Sequence, residues 1–471
     1  MSESTAPSAD QNPSTTPPAG IERLFEWLCA TLNRVPETVW LAIATVVCWI
    51  PILKRIGGTI YLDDSLITMH VVDNALAGHG LVFNVGEQYM VYSNPGYAVL
   101  LYLTCRLGHI TVPMGVQMLF LATSMALPFT SGLMFKRIAP MIVGPIACLL
   151  LFQSEEMWYS LKGMETSLFL VCVTAAFGLL RLGWPTVGAL FAGYATLCRP
   201  DAVVIPPLYL FVVAMELRAE APGQPCPWRR LIKPAAALVA VGAVWAIASL
   251  TMYGTLVPLT VKAKSILKQM GGPGLLGELL SRGRGAWKPF LAIITVSIAL
   301  MLADRRRWLL LPMLFGFANL AMLLAGRAPY FHWYFAPAYF SALLAMVWAA
   351  VRVSQLAIRT GAWSFFSLAA VAALGVASLP LPGPKQAREN LIPRIDGGKS
   401  EAATYIAKHR KKDDWAAGAE VGFLGYYSQS PVLDTNGLLQ HYTHAKLRSG
   451  DISSILIEHK PRQIDGVRYK K

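Results

Sequence analysis

A chain of 471 residues that is 55% hydrophobic and only 14% charged stands apart from soluble domains, which carry roughly 25% charged residues. Its mean hydropathy is +0.46, and apolar runs recur from about residue 38 to about residue 380. These features exclude a soluble enzyme and a single-anchor protein, and predict a polytopic α-helical membrane protein.

A transmembrane barrel does not fit, because its strands alternate in polarity over about ten residues. Much of the net charge of +14 sits in short clusters beside apolar runs: Arg218, Arg229, Arg230 and Lys233, then Arg305, Arg306 and Arg307, then Arg352 and Arg359. That is the positive-inside bias, and it argues against nucleic acid as a partner, which needs a solvent-facing basic surface. The seven cysteines contain no CxxC pair, so neither a structural zinc site nor a disulfide framework is indicated.

In chain order, the region 1–36 reads as a disordered tail to about residue 20, rich in Ser, Thr, Pro and Ala, followed by a short amphipathic surface helix over 21–35. The start lacks the basic and apolar segments of a signal peptide, so no cleavage is expected. A multi-span domain is predicted over 37–382, its first span near 39–53. Between that span and the next lies a polar stretch, 57–95, and connections of such length are usually functional or structured. Further apolar runs cover 96–108, 113–135, 138–153, 165–183, 187–198, 201–216, 234–252, 289–303, 309–325, 335–351 and 363–380, making twelve.

Twelve crossings conflict with the charges. The basic clusters at 218–233, 305–307 and 352–359 mark a cytoplasmic face and leave the tail after 381 outside, which needs an odd number. Runs 187–198 and 201–216 are too short to cross about 30 Å at about 1.5 Å per residue. They are therefore expected to form one broken or re-entrant unit around Arg199-Pro200-Asp201; the alternative is a miscount within 113–153. About eleven transmembrane helices are expected, with thirteen accepted.

From 383 to 471 the chain carries 15 Lys/Arg and 10 Asp/Glu and few apolar runs. SEAATYIAKHRKK predicts a helix with Ser400 as N-cap. The stretch 414–439 then reads as short β segments with turns, together a small α/β domain on the extracytoplasmic side.

The acidic pair Asp63-Asp64 opens the long loop. A carboxylate beside another has its pKa raised, which suits a general base, and a pair can also hold a divalent cation. Alternatively the pair is a solvated turn in which Asp64 or Ser65 caps a helix. Glu165 either contacts a sugar hydroxyl or is a first-turn acid favouring the helix dipole. Tyr92, Ser93 and Asn94 precede Pro95 and either line a channel or cap the next helix. His70 and His79 lack metal-site spacing and read as structural.

DDSLITMHVVDNALAGHGLVFN followed by VYSNPGYAVLLYL resembles the first extracytoplasmic loop of the GT-C superfamily, the polytopic glycosyltransferases that use polyprenyl-phosphate sugars. It is most similar to the bacterial and mycobacterial arabinofuranosyltransferase-like branch. LKGMETSLFL at 161–170, LCRPDA at 197–202, YGTLVPLTVKAKS at 253–265 and GFLGYYSQSPVLDTNGLL at 422–439 agree in consistent order. The resemblance implies an inverting transfer of a monosaccharide, arabinofuranose among the candidates, from a polyprenyl-phosphate donor to a hydroxyl of an envelope glycan, lipid or protein. It places the reaction on the extracytoplasmic face of a bacterial inner membrane.

In that reading Asp63 is the base on the acceptor hydroxyl, and Asp64 orients it, binds acceptor or assists a cation. Candidate cations for the donor phosphate are Lys262, Lys264, Arg199, and Arg327 with His332; Arg199 is alternatively an embedded ion pair holding the break. Tyr92, Asn94 and Glu165 are the expected substrate-binding residues. RAPYFHWYFAP at 327–337 departs from the mycobacterial arabinosyl enzymes, which carry a Gly-Gly-Asp-rich turn there. The rival reading is a transporter or flippase of a lipid-linked glycan or small solute, since broken helices are common in transporters. No internal repeat supports it, and the acidic pair lies at a span's edge.

Overall fold

The computed structural model describes residues 34–55, 61–220, 228–263, 287–304, 307–326, 331–357, 396–411 and 414–449, with a few positions up to Ile464. The tail and most of the surface helix expected over 1–36, and the apolar run at 363–380, lie outside the described residues.

The membrane part is a helical bundle. Its helices are α1 (Glu37–Arg55), α2 (Asp63–Leu76), α3 (Pro95–Gly108), α4 (Val112–Leu133), α5 (Val143–Gln153), α6 (Glu155–Leu161) and α7 (Thr166–Arg181). They continue with α8 (Pro185–Cys198), α9 (Ile205–Glu220), α10 (Trp228–Tyr253), α11 (Trp287–Ala303), α12 (Phe315–Ala325) and α13 (Ala336–Ala357). Among the described residues six helical segments are long and apolar enough to cross a membrane, and four shorter helices are apolar.

Hydrogen bonds at the helix ends define two faces. Glu37 at the start of α1 accepts the backbone N–H of Met141 just before α5, while Arg55 at its end donates to the Phe152 carbonyl at 2.9 Å. Helices α1 and α5 therefore run side by side in the same direction. Helix α4 runs the other way, since Gly132 near its end packs on Leu41 and Met141. Arg181, ending α7, pairs with Glu216 of α9 and donates to the Leu309 carbonyl at 2.7 Å, tying three elements together at the Glu37 face. Tyr253, ending α10, donates to the Leu81 carbonyl in the first loop at 2.9 Å, which lies on the opposite face.

Two expectations about the bundle are corrected. The apolar run at 96–108 is not a crossing. Its helix α3 begins where Gly96 packs on Leu197 and ends beside the start of α4, where Gly115 meets Leu101 and Cys105. Both ends thus lie on the loop face, and the apolarity of α3 serves packing against α2, α4 and α8. Secondly, of the broken or re-entrant arrangements expected for 187–198 and 201–216, the single broken crossing is excluded, because the two runs form an antiparallel hairpin, α8 and α9. The Tyr209 hydroxyl reaches back to the Pro185 carbonyl at 2.7 Å, which requires the chain to reverse. Pro200 makes the tip: it supplies no N–H and holds Arg199 extended (φ −149°, ψ 136°) before a 3-10 turn, Pro200–Val204.

The tail is a small α/β unit. Strands β1 (Ala416–Gly418), β2 (Val432–Asp434) and β3 (Gln463–Ile464) form a parallel sheet in the order β2-β1-β3, registered Ala416↔Val432 and Ala416↔Gln463. Around it are α14 (Lys399–His409), α15 (Val421–Ser428) and α16 (Thr443–Ser449). The stretch expected as successive β segments is β–α–β instead, because adjacent parallel strands need a crossover and VGFLGYYS provides it. Ser400 is not the N-cap of α14; Gly398 is, at φ 86°, and the Asp396 carboxylate accepts both the Ser400 N–H (2.9 Å) and its hydroxyl (2.7 Å).

This unit docks on the first loop. Gly422 and Gly425 of α15 lie so close to Asp63 and Phe83 that a Cβ at either position would overlap them. Asn84 exchanges two hydrogen bonds of 2.9 Å with the backbone of Val432, and Gln440 donates to the Val432 carbonyl at 2.7 Å and to Glu87 at 3.3 Å.

Candidate active site

Helix α2 begins at Asp63 itself, after an extended Leu62. Successive helical residues point about 100° apart, so the two carboxylates diverge. Asp63 turns to the tail domain, where its Oδ1 accepts the Phe423 N–H at 2.9 Å. Burial, then the nearby Glu420 and Asp64 carboxylates, push its pKa well above the ordinary carboxylate range against the Phe423 N–H and Lys399. Asp64 lines a cavity of about 270 Å³ between the loop, the hairpin tip and the segment 331–335.

A polar chain runs along the cavity wall. Thr68, one turn after Asp64, faces Asn94, with 3.2 Å between its hydroxyl and the amide. Asn94 donates to Glu165 at 2.9 Å, and the other oxygen of Glu165 is 3.7 Å from Arg199. Arg199 grips Asp201 through Nε and Nη2, both at 3.0 Å, and donates to Thr166 at 3.2 Å. Asn319 of α12 donates to Asp201 at 3.4 Å. The guanidinium is 1% exposed and lies 5.7 Å from the ring centre of Tyr334 and 5.8 Å from that of Phe169.

Bidentate Arg–carboxylate pairing is the strong form of the interaction, and it commits Arg199. Among the described residues the wall thus holds three carboxylates, Asp64, Glu165 and Asp201, and one guanidinium. Trp333 and Tyr334 add aromatic surface, and Met322, Leu323 and Val261 an apolar side. The Thr260 hydroxyl on the wall is buried without a hydrogen-bond partner.

The expected site residues distribute as follows. Asp64, Tyr92, Asn94, Glu165 and Arg199 share the cavity. Asp63 does not line it and is taken up by Phe423. Asn94 precedes α3 but makes no side-chain cap; its amide serves Glu165. The Tyr92 hydroxyl pairs with that of Tyr253 at 2.8 Å, tying the loop to α10. Lys262 is exposed, on the same short segment as Thr260 and Val261. Lys264 and Arg327 lie outside the described residues, as does the side chain of His332, whose backbone is in the 3-10 turn His332–Phe335. No group of three or more His, Cys, Asp or Glu arranged to hold a metal exists among the described residues.

Sequence reasoning missed Thr68, Asn319 and Leu438, all of which join the cavity or its network. Thr68 was detectable from its spacing of four from Asp64 on a helix, and Asn319 as a lone amide in an apolar run. Leu438 enters from the tail's turn 434–440, which no local pattern announces.

The fold is that of a multi-pass helical bundle with helices long and apolar enough to cross a membrane, in which an acidic loop helix covers a polar cavity. The structure superposes on ArnT from Cupriavidus metallidurans bound to undecaprenyl phosphate with a TM-score of 0.52 at 13% identity, over 84% of this chain and 85% of that one. In sequence it is similar to a terminal β-(1→2)-arabinofuranosyltransferase of Mycobacterium tuberculosis, 27% identical over 281 residues, 54% of this chain and 42% of that protein. The corresponding protein of Corynebacterium glutamicum is 26% identical over 244 residues, 45% of this chain and 34% of that one. The chain thus matches less than half the length of these relatives. No family model matches it.

Proposed function

We propose that the chain is a membrane glycosyltransferase that moves a monosaccharide, arabinofuranose first among candidates, from a polyprenyl-phosphate donor to a hydroxyl of an envelope glycan, lipid or protein. The cavity faces outward from a bacterial inner membrane, opposite the basic clusters. The observation that carries this reading is one cavity bearing Asp64 above the Asn94–Glu165–Arg199–Asp201 chain. The relatives' names and the ligand of ArnT supply the sugar and the lipid carrier.

Asp64, rather than Asp63, takes the proton from the acceptor hydroxyl as its oxygen bonds to the anomeric carbon. The donor's carbon–oxygen bond breaks, and the phosphate departs already ionised, so no general acid is required. Glu165 accepts hydrogen bonds from sugar hydroxyls, its orientation fixed by Asn94 and Arg199. Arg199 is neutralised by Asp201 and Glu165 and holds the wall. The donor phosphate is met from the segment bearing Lys262. Purified protein, wild type and Asp64→Asn, incubated with polyprenyl-phosphate sugars and an arabinan acceptor tests this. Transfer from one donor that the variant loses supports it; equal transfer by both overturns the assignment of the base. Lipid-linked sugar moved across vesicles without turnover would mark a flippase.

A further inference from the structure

On the far side of Asp63 from the cavity lies a second opening, a cleft of about 470 Å³ between α14, α15 and Tyr61 of the first loop. Its lining combines ring surface from Tyr405 and Tyr427, with the buried Phe423 behind them, and oxygens of Ser400, Glu401 and Thr404. One face of α14 supplies most of this, because residues four apart share a helix face: Ser400 and Thr404 form one row, Glu401 and Tyr405 the next. The opposite face of α14 provides the buried Ala403 and Ile406. Tyr405 is 63% exposed, so it is not there to fill a core. Its ring is stacked on His409, 3.9 Å between centres and 26° between planes, which sets its orientation without covering both faces. Phe423 and Tyr427 lie nearly parallel, at 22° and 6.1 Å.

Ring faces beside carboxylates and hydroxyls are what a sugar chain requires. The C–H face of a sugar packs on an aromatic ring, and its hydroxyls donate to carboxylates. Among the lining residues two carboxylates, Asp396 and Glu401, stand against the ammonium of Lys408, and the Lys399 ammonium over the Phe423 ring is paired with Glu420 at 2.8 Å; this balance disfavours a phosphate or another polyanion. The cleft also joins the catalytic machinery through one residue: Phe423 lines it with its ring while its N–H holds Asp63, the neighbour of Asp64. We propose that this cleft is an oligosaccharide subsite that holds a neutral acceptor chain at sugars remote from the one being glycosylated. The word acceptor rests on the function proposed above; the sugar-binding site does not.

The experiment uses the full chain in lipid nanodiscs and a linear arabinofuranose hexasaccharide as probe, with calorimetry for binding and transfer assays for acceptor length. Tyr405→Ala removes one ring from an exposed position. It is expected to weaken hexasaccharide binding by up to about tenfold, equivalent to about 1.4 kcal/mol and near the top of the range for one aromatic contact. In transfer assays Tyr405→Ala raises KM for the hexasaccharide and leaves a simple monosaccharide glycoside unchanged. Hexasaccharide binding that Tyr405→Ala does not weaken, or none in the wild type, overturns the cleft even where transfer occurs. Binding lost in Tyr405→Ala with no transfer from any polyprenyl donor upholds the cleft and refutes the glycosyltransferase reading instead. If Tyr405→Ala lowers association with anionic vesicles and not with sugar, the cleft is a membrane contact and the proposal fails.

Discussion

The two adjacent aspartates make separable predictions, because the structure gives them different neighbours. Asp64 lines the cavity, whereas the Asp63 Oδ1 accepts the Phe423 N–H at 2.9 Å. Removing a general base costs about a hundred- to ten-thousand-fold in rate, so Asp64→Asn should lower kcat by that range while leaving the fold intact. Asp63→Asn keeps an amide oxygen for the Phe423 N–H, and burial with Glu420 nearby already disfavours the charged form there. Loss of the charge should therefore change kcat less than about threefold, within the ~0.5–1.5 kcal/mol of one ordinary hydrogen bond. Asp63→Ala differs from both: it strands a backbone donor beneath α15, at about 1–3 kcal/mol. It should lower the melting temperature and loosen the tail domain without abolishing turnover. The assay is transfer of labelled sugar from a polyprenyl-phosphate donor, with thermal unfolding in the same detergent. A dead Asp63→Asn beside an active Asp64→Asn would reverse the assignment and refute the argument from cavity geometry.

Three further outcomes follow from the packing. Arg199→Gln leaves Asp201 and Glu165 without their cation in a site where the guanidinium is 1% exposed; breaking such a buried pair should cost about 3–5 kcal/mol, read as a fall in melting temperature that Asp201→Asn combined with it partly restores. Gly422→Ala places a methyl against the Asp63 carbonyl, a backbone atom that cannot step aside, so about 1–3 kcal/mol of overpacking strain should appear as faster proteolysis of the tail. His70 is 5% exposed, set edge-on to Phe83 at 4.7 Å, and burial pushes its pKa from 6.5 down to about 4. A depressed folded pKa on a base means the unfolded chain binds the extra proton, so stability is lost as pH falls from 6.5 towards 4. At pH 5 the loss is about 2 kcal/mol relative to pH 7.5. Asp73, raised to about 6 by burial, works in the opposite sense, so the comparison is made against His70→Leu, in which its contribution cancels. The stability lead of wild type over the variant should shrink by that amount between pH 7.5 and 5; a constant lead would show that His70 is not held neutral.

The bundle was legible in the sequence because lipid imposes a strong rule, that every backbone group be satisfied within an apolar helix, and that rule leaves its mark on composition. It failed at α3, which is apolar for another reason: it is clamped among α2, α4 and α8 on the loop face, and burial against protein leaves the same composition as burial in lipid. It failed again at the Arg199-Pro200-Asp201 break, where proline announces an interruption but not the direction in which the chain leaves. The Tyr209–Pro185 hydrogen bond, a tertiary contact, shows the reversal. The site follows the same division. Asp64, Asn94, Glu165 and Arg199 were each visible as polar groups beside apolar runs, because such groups are costly unless they are used. Which of them share one cavity, and that Asp63 turns away from its neighbour, depend on where the tail domain sits. Gly422 lets α15 press against the start of α2, and the Phe423 N–H then claims Asp63. Two residues 360 positions apart thereby decide which carboxylate of an adjacent pair faces the cavity, and local spacing carries no trace of that choice.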